Sequence, residues 1–177
     1  MRERHNADEI LDGAVAVAFE GGLGRLTFGR VAAHLGIADR TVVYYFPTKD
    51  ELVGAVLAAI GERLEATLAP AFTRPATDHI DLASTAWPVL RDPATVPVFA
   101  LYLEATGLAA IGRAPYTAIA PALTEAWITW AAELLPGTVA QRRAEATAAV
   151  ALLDGLLMLR AIAGDDAART AARRLGL

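Results

Sequence analysis

The chain has 177 residues, enough for one large domain or for a small one joined to a medium one, with a buried core. Hydrophobic residues at 55% and charged residues at 20% argue against disorder, and the lack of cysteine excludes disulfides, thiolate metal sites and cysteine nucleophiles. A formal net charge of −4 opposes nucleic-acid binding by the chain as a whole, so any such surface has to be local.

Apolar residues recur at spacings of three and four almost throughout, which predicts an all-α protein. The first helix starts near Asn6, which has Glu9 at capping-box spacing. Its buried stripe is Ile10, Leu11, Ala14, Val15, Ala18 and Phe19, and Gly21, Gly22 and Gly24 end it. A second helix follows Thr27, a residue suited to an N-cap, and runs to about His34. Gly36 marks a turn, and a third helix covers about Ala38 to Tyr45. Pro47 and Thr48 break it. Thr48 with Glu51 opens a long fourth helix to about Leu68, about 30 Å at 1.5 Å per residue. Pro70 and Pro75 bracket a connector. Helices are then expected at about Asp78 to Arg91, Pro93 to Ile111, Pro121 to Leu135, Thr138 to Ala163 and Asp165 to Arg174. The composition shift near residue 50 divides the chain into residues 1–50, a small N-terminal module, and 51–177, a larger apolar helical domain.

The longest stretches without a charge, Pro93 to Leu103 and Ala114 to Thr124, are 11 residues each. A membrane span needs about 20. The first nine residues lack the apolar core of a signal peptide. A soluble cytoplasmic protein with no membrane partner is expected. Arg2 and Arg4 are better suited to a frayed terminus than to an arm on DNA.

Charge is unevenly spread. From Gly22 to Lys49 the cations Arg25, Arg30, Arg40 and Lys49 face Asp39 alone, a local charge of +3, with acidic flanks on both sides. The same stretch, Thr27 to Phe46, has helix-turn-helix spacing. Ala32 is small where the second of two crossing helices approaches. Gly36 stands where the turn needs a positive φ. Val31, Leu35, Ile37 and Val42 form a small core between the helices. The apolar positions alone suit any helical hairpin, but with the alanine, the glycine and the local charge they favour the DNA-binding kind.

Gly36-Ile37, Thr41-Val42, Tyr44-Tyr45-Phe46, Lys49, Glu51 and Leu52 resemble the N-terminal signature of the tetracycline-repressor (TetR) family. Ile10-Leu11, Phe19-Glu20-Gly21 and Thr27 fit the same pattern, so the resemblance covers about residues 6 to 57. It implies an N-terminal three-helix DNA-binding module, joined by a long helix to a C-terminal helical ligand-binding and dimerisation domain. The implied function is sequence-specific transcription regulation by a homodimer on a near-palindromic double-stranded operator. Such proteins are mostly repressors released by a small ligand, here of apolar or amphipathic kind. The third helix would lie in the major groove with Asp39, Arg40 and Thr41 nearest the bases, and Thr27, Tyr45 and Lys49 would grip phosphates. Arginine can donate two bonds to guanine, and threonine can touch a thymine methyl. Asp39 could accept from a cytosine amino group or cap its own helix. Tyr44 and Phe46 are expected in core or hinge packing, with Tyr45 the outward hydroxyl. The chain departs from the family pattern at Ala38, where serine is common, and at Val43, where tyrosine is common. A helical small-molecule-binding or interaction module without DNA contact is the alternative, and the net charge and Val43 suit it.

In the C-terminal half, Trp87, Phe99, Tyr102, Tyr116, Trp127 and Trp130 are each ordinary core candidates. Together they could line an apolar ligand site. Glu104, in an otherwise apolar helix, either orients a ligand or bonds a neighbouring helix end. Leu152, Leu153, Leu156 and Leu159 form an apolar face that could pair two copies in a four-helix seam. Leu153-Asp154-Gly155-Leu156 is a weak echo of a dimer helix in the same family. Ligand binding would then tilt the fourth helix and change the spacing of the two recognition helices. No enzyme motif is present, His5, His34 and His79 are isolated, and no metal or cofactor is expected.

Overall fold

The computed structural model describes residues 6–177, so the expectations for Arg2, Arg4 and His5 lie outside the described residues. Among the described residues all regular structure is helical: α1 (Ala7–Gly21), α2 (Phe28–Leu35), α3 (Asp39–Tyr45), α4 (Lys49–Leu68), α5 (His79–Leu90), α6 (Val96–Ala110), α7 (Tyr116–Glu133), α8 (Val139–Ala163) and α9 (Asp165–Leu175). Short 3-10 turns occur at Leu23–Arg25, Ala69–Ala71 and Pro93–Thr95. The chain forms two compact units rather than dividing once near residue 50. One unit runs up to Arg63 and takes in Ala100–Ala120; the other comprises Leu64–Phe99 and Pro121–Leu177. The chain passes between them inside α4, α6 and α7.

In the first unit, α1 opens with a full capping box: Asn6 Oδ1 accepts the Glu9 N–H at 2.8 Å, and the Asn6 N–H donates to Glu9 Oε2 at 3.3 Å. Ile10, Ala14, Val15, Val17 and Ala18 are buried, but Phe19 is exposed, contrary to the expected stripe. At 100° per residue a stripe centred on residues 10, 14, 17 and 18 rotates position 19 towards water. A methyl added at Gly13 would lie 2.7 Å from Leu35 Cδ2, so this glycine lets α1 approach α2 closely. The α2–α3 turn closes as a double-bonded helix end. Gly36, at φ 68° and ψ 31°, is left-handed, the Gly36 N–H donates to the Ala33 carbonyl at 3.3 Å, and the Ile37 N–H donates to the Ala32 carbonyl at 2.9 Å. Val31, Ala32 and Val42 are buried there, while Leu35 and Ile37 are half-buried. From α4, Leu52, Val53 and Val56 fill the core, and Arg63 pairs with Asp12 of α1.

The second unit is built on α8, whose Ala146, Ala149, Leu153, Leu156 and Leu157 are buried. Leu153, Leu156 and Leu157 pack in one core with Leu64, Leu68, Ala83, Ala86, Trp87 and Leu90, joined by Ala168 and Ala172 of α9. Ala146 and Ala149 belong to another, with Ala76, Leu82, Ile128, Ala131 and Leu135. Thr138 and Gln141 form the capping box that starts α8. Arg160 ties α8 to both neighbours, donating to the Leu90 carbonyl at 3.4 Å and pairing with Asp165 at 3.1 Å. Helix α7 begins at Tyr116 rather than at Pro121, which stands inside it. Pro121 gives up the backbone bond to the Thr117 carbonyl, and the helix continues through it. By length and composition α8 and the stretch Pro93–Ala110 could each cross a membrane. Yet α8 carries Asp154 near its middle and spends one face on the core.

The connector before α5 is held by Asp81, which receives Arg74 at 2.8 and 3.0 Å and the Thr77 N–H at 2.9 Å. The Arg74 bond, then the Thr77 bond, lower the Asp81 carboxyl to about 2. A depressed carboxylate contributes stability above its unfolded value of about 4 and loses it as pH falls towards the folded value. Thermal unfolding scans between pH 2 and 5 should therefore show a smaller acid-induced decline for Asp81→Asn than for the wild type.

Candidate nucleic-acid interface

Thr27 is the N-cap of α2, its hydroxyl oxygen accepting the Arg30 N–H at 3.3 Å. The turn at Gly36 then reverses the chain into α3, whose inward anchor is Val42, fully buried. At 100° per residue, positions two before and two after the anchor project from the opposite side. These are Arg40 and Tyr44. Arg40 is exposed and Tyr44 is 78% exposed, with Val43 beside them at 39%. The outer edge of α3 is thus a guanidinium, a phenol ring and a valine.

Thr41 is half-buried and Asp39 exposed. A methyl added at Gly29 would lie 3.3 Å from Asp39 Oδ2, so this carboxylate sits over the first turn of α2. It makes no side-chain cap for α3, which starts after Ala38 without one. An anion there opposes phosphates whatever their sequence. Asp39→Ala is expected to strengthen binding to random and specific duplexes alike, read by fluorescence anisotropy. Loss at one base position would mark Asp39 as a cytosine reader.

The two tyrosines are exposed in the reverse of the expected order. Tyr44, expected in packing, is at 78% the most exposed large hydrophobic side chain described in the module, whereas Tyr45 is half-buried with its ring edge-on to Tyr44 at 5.0 Å. Phe46 is half-buried. Burial of Val42 carried the signal for Tyr44, since it fixes the outward pair. Thr48 caps α4 by accepting the Glu51 N–H at 3.1 Å, and Lys49, exposed, is the first residue of that helix. The ammonium therefore stands beside the positive end of a helix dipole, a place suited to a phosphate oxygen. Exposed Arg25 and Arg30 add to the positive charge of this stretch.

The residues expected around a ligand divide between the units. Trp87, Phe99, Trp127 and Trp130 belong to the second, and Tyr102, Glu104 and Tyr116 to the first. Trp87 is buried as a core member. Phe99, Trp127 and Trp130 pack half-buried against that core, and Trp130 stands edge-on to Trp127 at 5.6 Å and to Phe72 at 5.8 Å. Phe72 was not anticipated. Glu104 already has partners: it accepts the Leu23 N–H at 2.9 Å and the Gly24 N–H at 3.0 Å. Tyr116 is buried, and desolvation, then the negative charges of Glu104 and Asp50, push its phenol up. Of the expected pairing residues, Leu153 and Leu156 are inside the protomer's own core, and only Leu152 and Leu159 are partly accessible. The uncovered face of α8 is instead Ala151, Leu152, Gly155, Met158, Leu159 and Ile162, with Met158 at 50% and Ile162 at 79% exposure.

No curated protein matches the chain. Residues 10–56 match the family model described as bacterial regulatory proteins, tetR family. The fold is shared along nearly the whole chain with solved structures. The multidrug binding protein EbrR complexed with imidazole is 25% identical with a TM-score of 0.72, over 98% of this chain and 94% of that one. A transcriptional regulator from Rhodococcus sp. Rha1 is 20% identical with a TM-score of 0.73, over 97% and 95%. A TetR transcriptional regulator from Legionella pneumophila is 16% identical with a TM-score of 0.66, over 99% and 98%. EbrR has also been solved with malachite green and with proflavin. The helix-turn-helix module that presents α3 to solvent thus matches the tetR family of bacterial regulatory proteins over residues 10–56, and the chain as a whole shares the fold of EbrR and of solved transcriptional regulators.

Proposed function

We propose that the protein is a cytoplasmic homodimeric repressor that binds a near-palindromic operator and leaves it when a small aromatic or amphipathic molecule binds. The observation that carries the DNA half of this reading is the outward edge of α3: Arg40 and Tyr44 face away from the fully buried Val42. Arg40 donates to guanine, while Val43 and the Tyr44 ring offer apolar contact to thymine methyls. Thr27, Tyr45 and Lys49 hold the backbone, a contact that fixes register without reading sequence.

Pairing is supported by the uncovered stripe on α8. Its residues recur at three and four, and Gly155 at its centre allows two helix backbones to approach closely. A palindrome offers two half-sites about one helical turn of DNA apart, one for each α3 of a twofold pair. The ligand reading is supported by the edge-on cluster of Phe72, Trp127 and Trp130 and by EbrR, solved in complex with malachite green and with proflavin. Flat aromatic cations stack well on such rings.

A gel-shift on DNA flanking the protein's own gene, run at two salt concentrations with and without proflavin, tests the reading. One fragment should shift at both salt levels against competitor DNA, and proflavin should reverse the shift. Binding of the dye with no retarded fragment would instead support a small-molecule binder that never meets DNA. Proflavin also intercalates into duplexes, so its binding to the protein alone is measured by tryptophan quenching.

A further inference from the structure

We propose that Glu104 is a positioning residue of the DNA-binding module, through which α6 sets the corner between α1 and α2. The proposal rests on the regulator reading above and names a route by which it is controlled. The 3-10 turn Leu23–Arg25 follows α1 and has no side-chain cap of its own, because the residue before it is Gly22. Its first N–H groups would be left without acceptors. Glu104, about eighty positions along the chain, supplies both: Oε2 receives the Leu23 N–H at 2.9 Å and Oε1 the Gly24 N–H at 3.0 Å. The carboxylate thus caps a turn in another element with two charge-assisted bonds, a fork geometry that fixes direction as well as distance.

The site is built for this carboxylate. Gly22 has φ 78°, where side chains are disfavoured, and a methyl added there would meet Glu104 Oε2 at 2.8 Å. The adjacent Leu23 and Leu26 are fully buried, and Thr27 immediately after them caps α2. The turn is therefore rigidly joined to the helix that carries α3. On its other side, Glu104 is the one charged residue of α6, and the phenol of Tyr116 lies in its field. A carboxylate in an otherwise apolar helix, with both oxygens spent on one distant turn, does not solvate the helix and does not remain available to a ligand. A shift or rotation of α6 breaks the fork or pulls the turn with it.

Glu104→Ala, Glu104→Gln and Glu104→Asp in the full-length protein test the proposal, with amide hydrogen exchange and DNA selectivity read together. In Glu104→Ala the Leu23 and Gly24 amides should exchange at least about ten-fold faster, while those of Val31 and Ala32 keep their protection. Selectivity for the fragment from the protein's own neighbourhood over random DNA should fall about five-fold or more, at unchanged random-DNA affinity. Glu104→Gln keeps one acceptor oxygen and should be intermediate. Glu104→Asp keeps the fork but is a methylene short, and should restore more selectivity than alanine. Wild-type exchange at both amides in the alanine variant would overturn the proposal, as would faster exchange with unchanged selectivity, which is a merely structural cap. Should Glu104→Ala unfold, the Gln and Asp variants carry the same two outcomes. A wild type without selectivity overturns the regulator reading and this one together, and is recognised before any substitution is made.

Discussion

Gly155→Arg is expected to convert the protein from a dimer to a folded monomer and to weaken operator binding by about 100-fold or more, the range by which linking two sites exceeds one. Gly155 is exposed at the centre of the uncovered stripe of α8, and nothing lies within 4 Å of where its Cβ would stand. An arginine there is therefore harmless to the isolated protomer and obstructive only to a second chain. The flanking Leu152, Met158, Leu159 and Ile162 would otherwise leave an apolar face in water. Sedimentation equilibrium and circular dichroism read the two halves of the result. Leu156→Arg makes the contrast: Leu156 is in the core, so that variant should lose folding rather than pairing. A Gly155→Arg protein that remained dimeric would move the seam elsewhere.

Arg40→Ala and Lys49→Ala should differ in kind. Arg40 stands on the outer edge of α3, and its loss is expected to relax discrimination at one base position at a cost of about 1–3 kcal/mol. Lys49 stands at the start of α4, a place suited to a phosphate oxygen. Its loss should weaken binding to all sequences and lower the salt slope by about 1. Affinities for the operator, for single-base variants and for random DNA at several salt concentrations separate the two. Equal losses on every sequence from both substitutions would remove Arg40 from the reading edge. Tyr44→Ala is informative beside them, because an exposed ring is cheap to remove from a folded protein and costs affinity only if DNA covers it.

The N-terminal module was largely legible in the sequence because its signals are local. Asn6 with Glu9, Thr27, Gly36 and Thr48 with Glu51 each act within a few residues, and the structure uses them as caps and turns. The exposure of Tyr44 is not legible because the consecutive aromatics Tyr44, Tyr45 and Phe46 offer no periodicity of their own. Only the burial of Val42 shows which of them faces out. The second unit was less legible for a different reason. From Ala148 to Leu159 every residue of α8 but Asp154 and Gly155 is apolar, so pattern cannot separate the core face, which holds Leu153 and Leu156, from the uncovered one. Glu104 was open between ligand and helix-end roles, because its partners are about eighty residues away and no sequence spacing links them. The compact units divide inside α4, α6 and α7, a partition that composition along the chain does not register.

The most direct measurement is a hydroxyl-radical footprint of the protein on the DNA flanking its own gene. The outward edge of α3, doubled by a twofold pair, predicts two protected segments with centres about one helical turn apart or a multiple of it, both needing more protein to appear in Arg40→Ala. Absence of any protected segment, or uniform protection that vanishes with added salt, would contradict the claim that this edge reads a duplex.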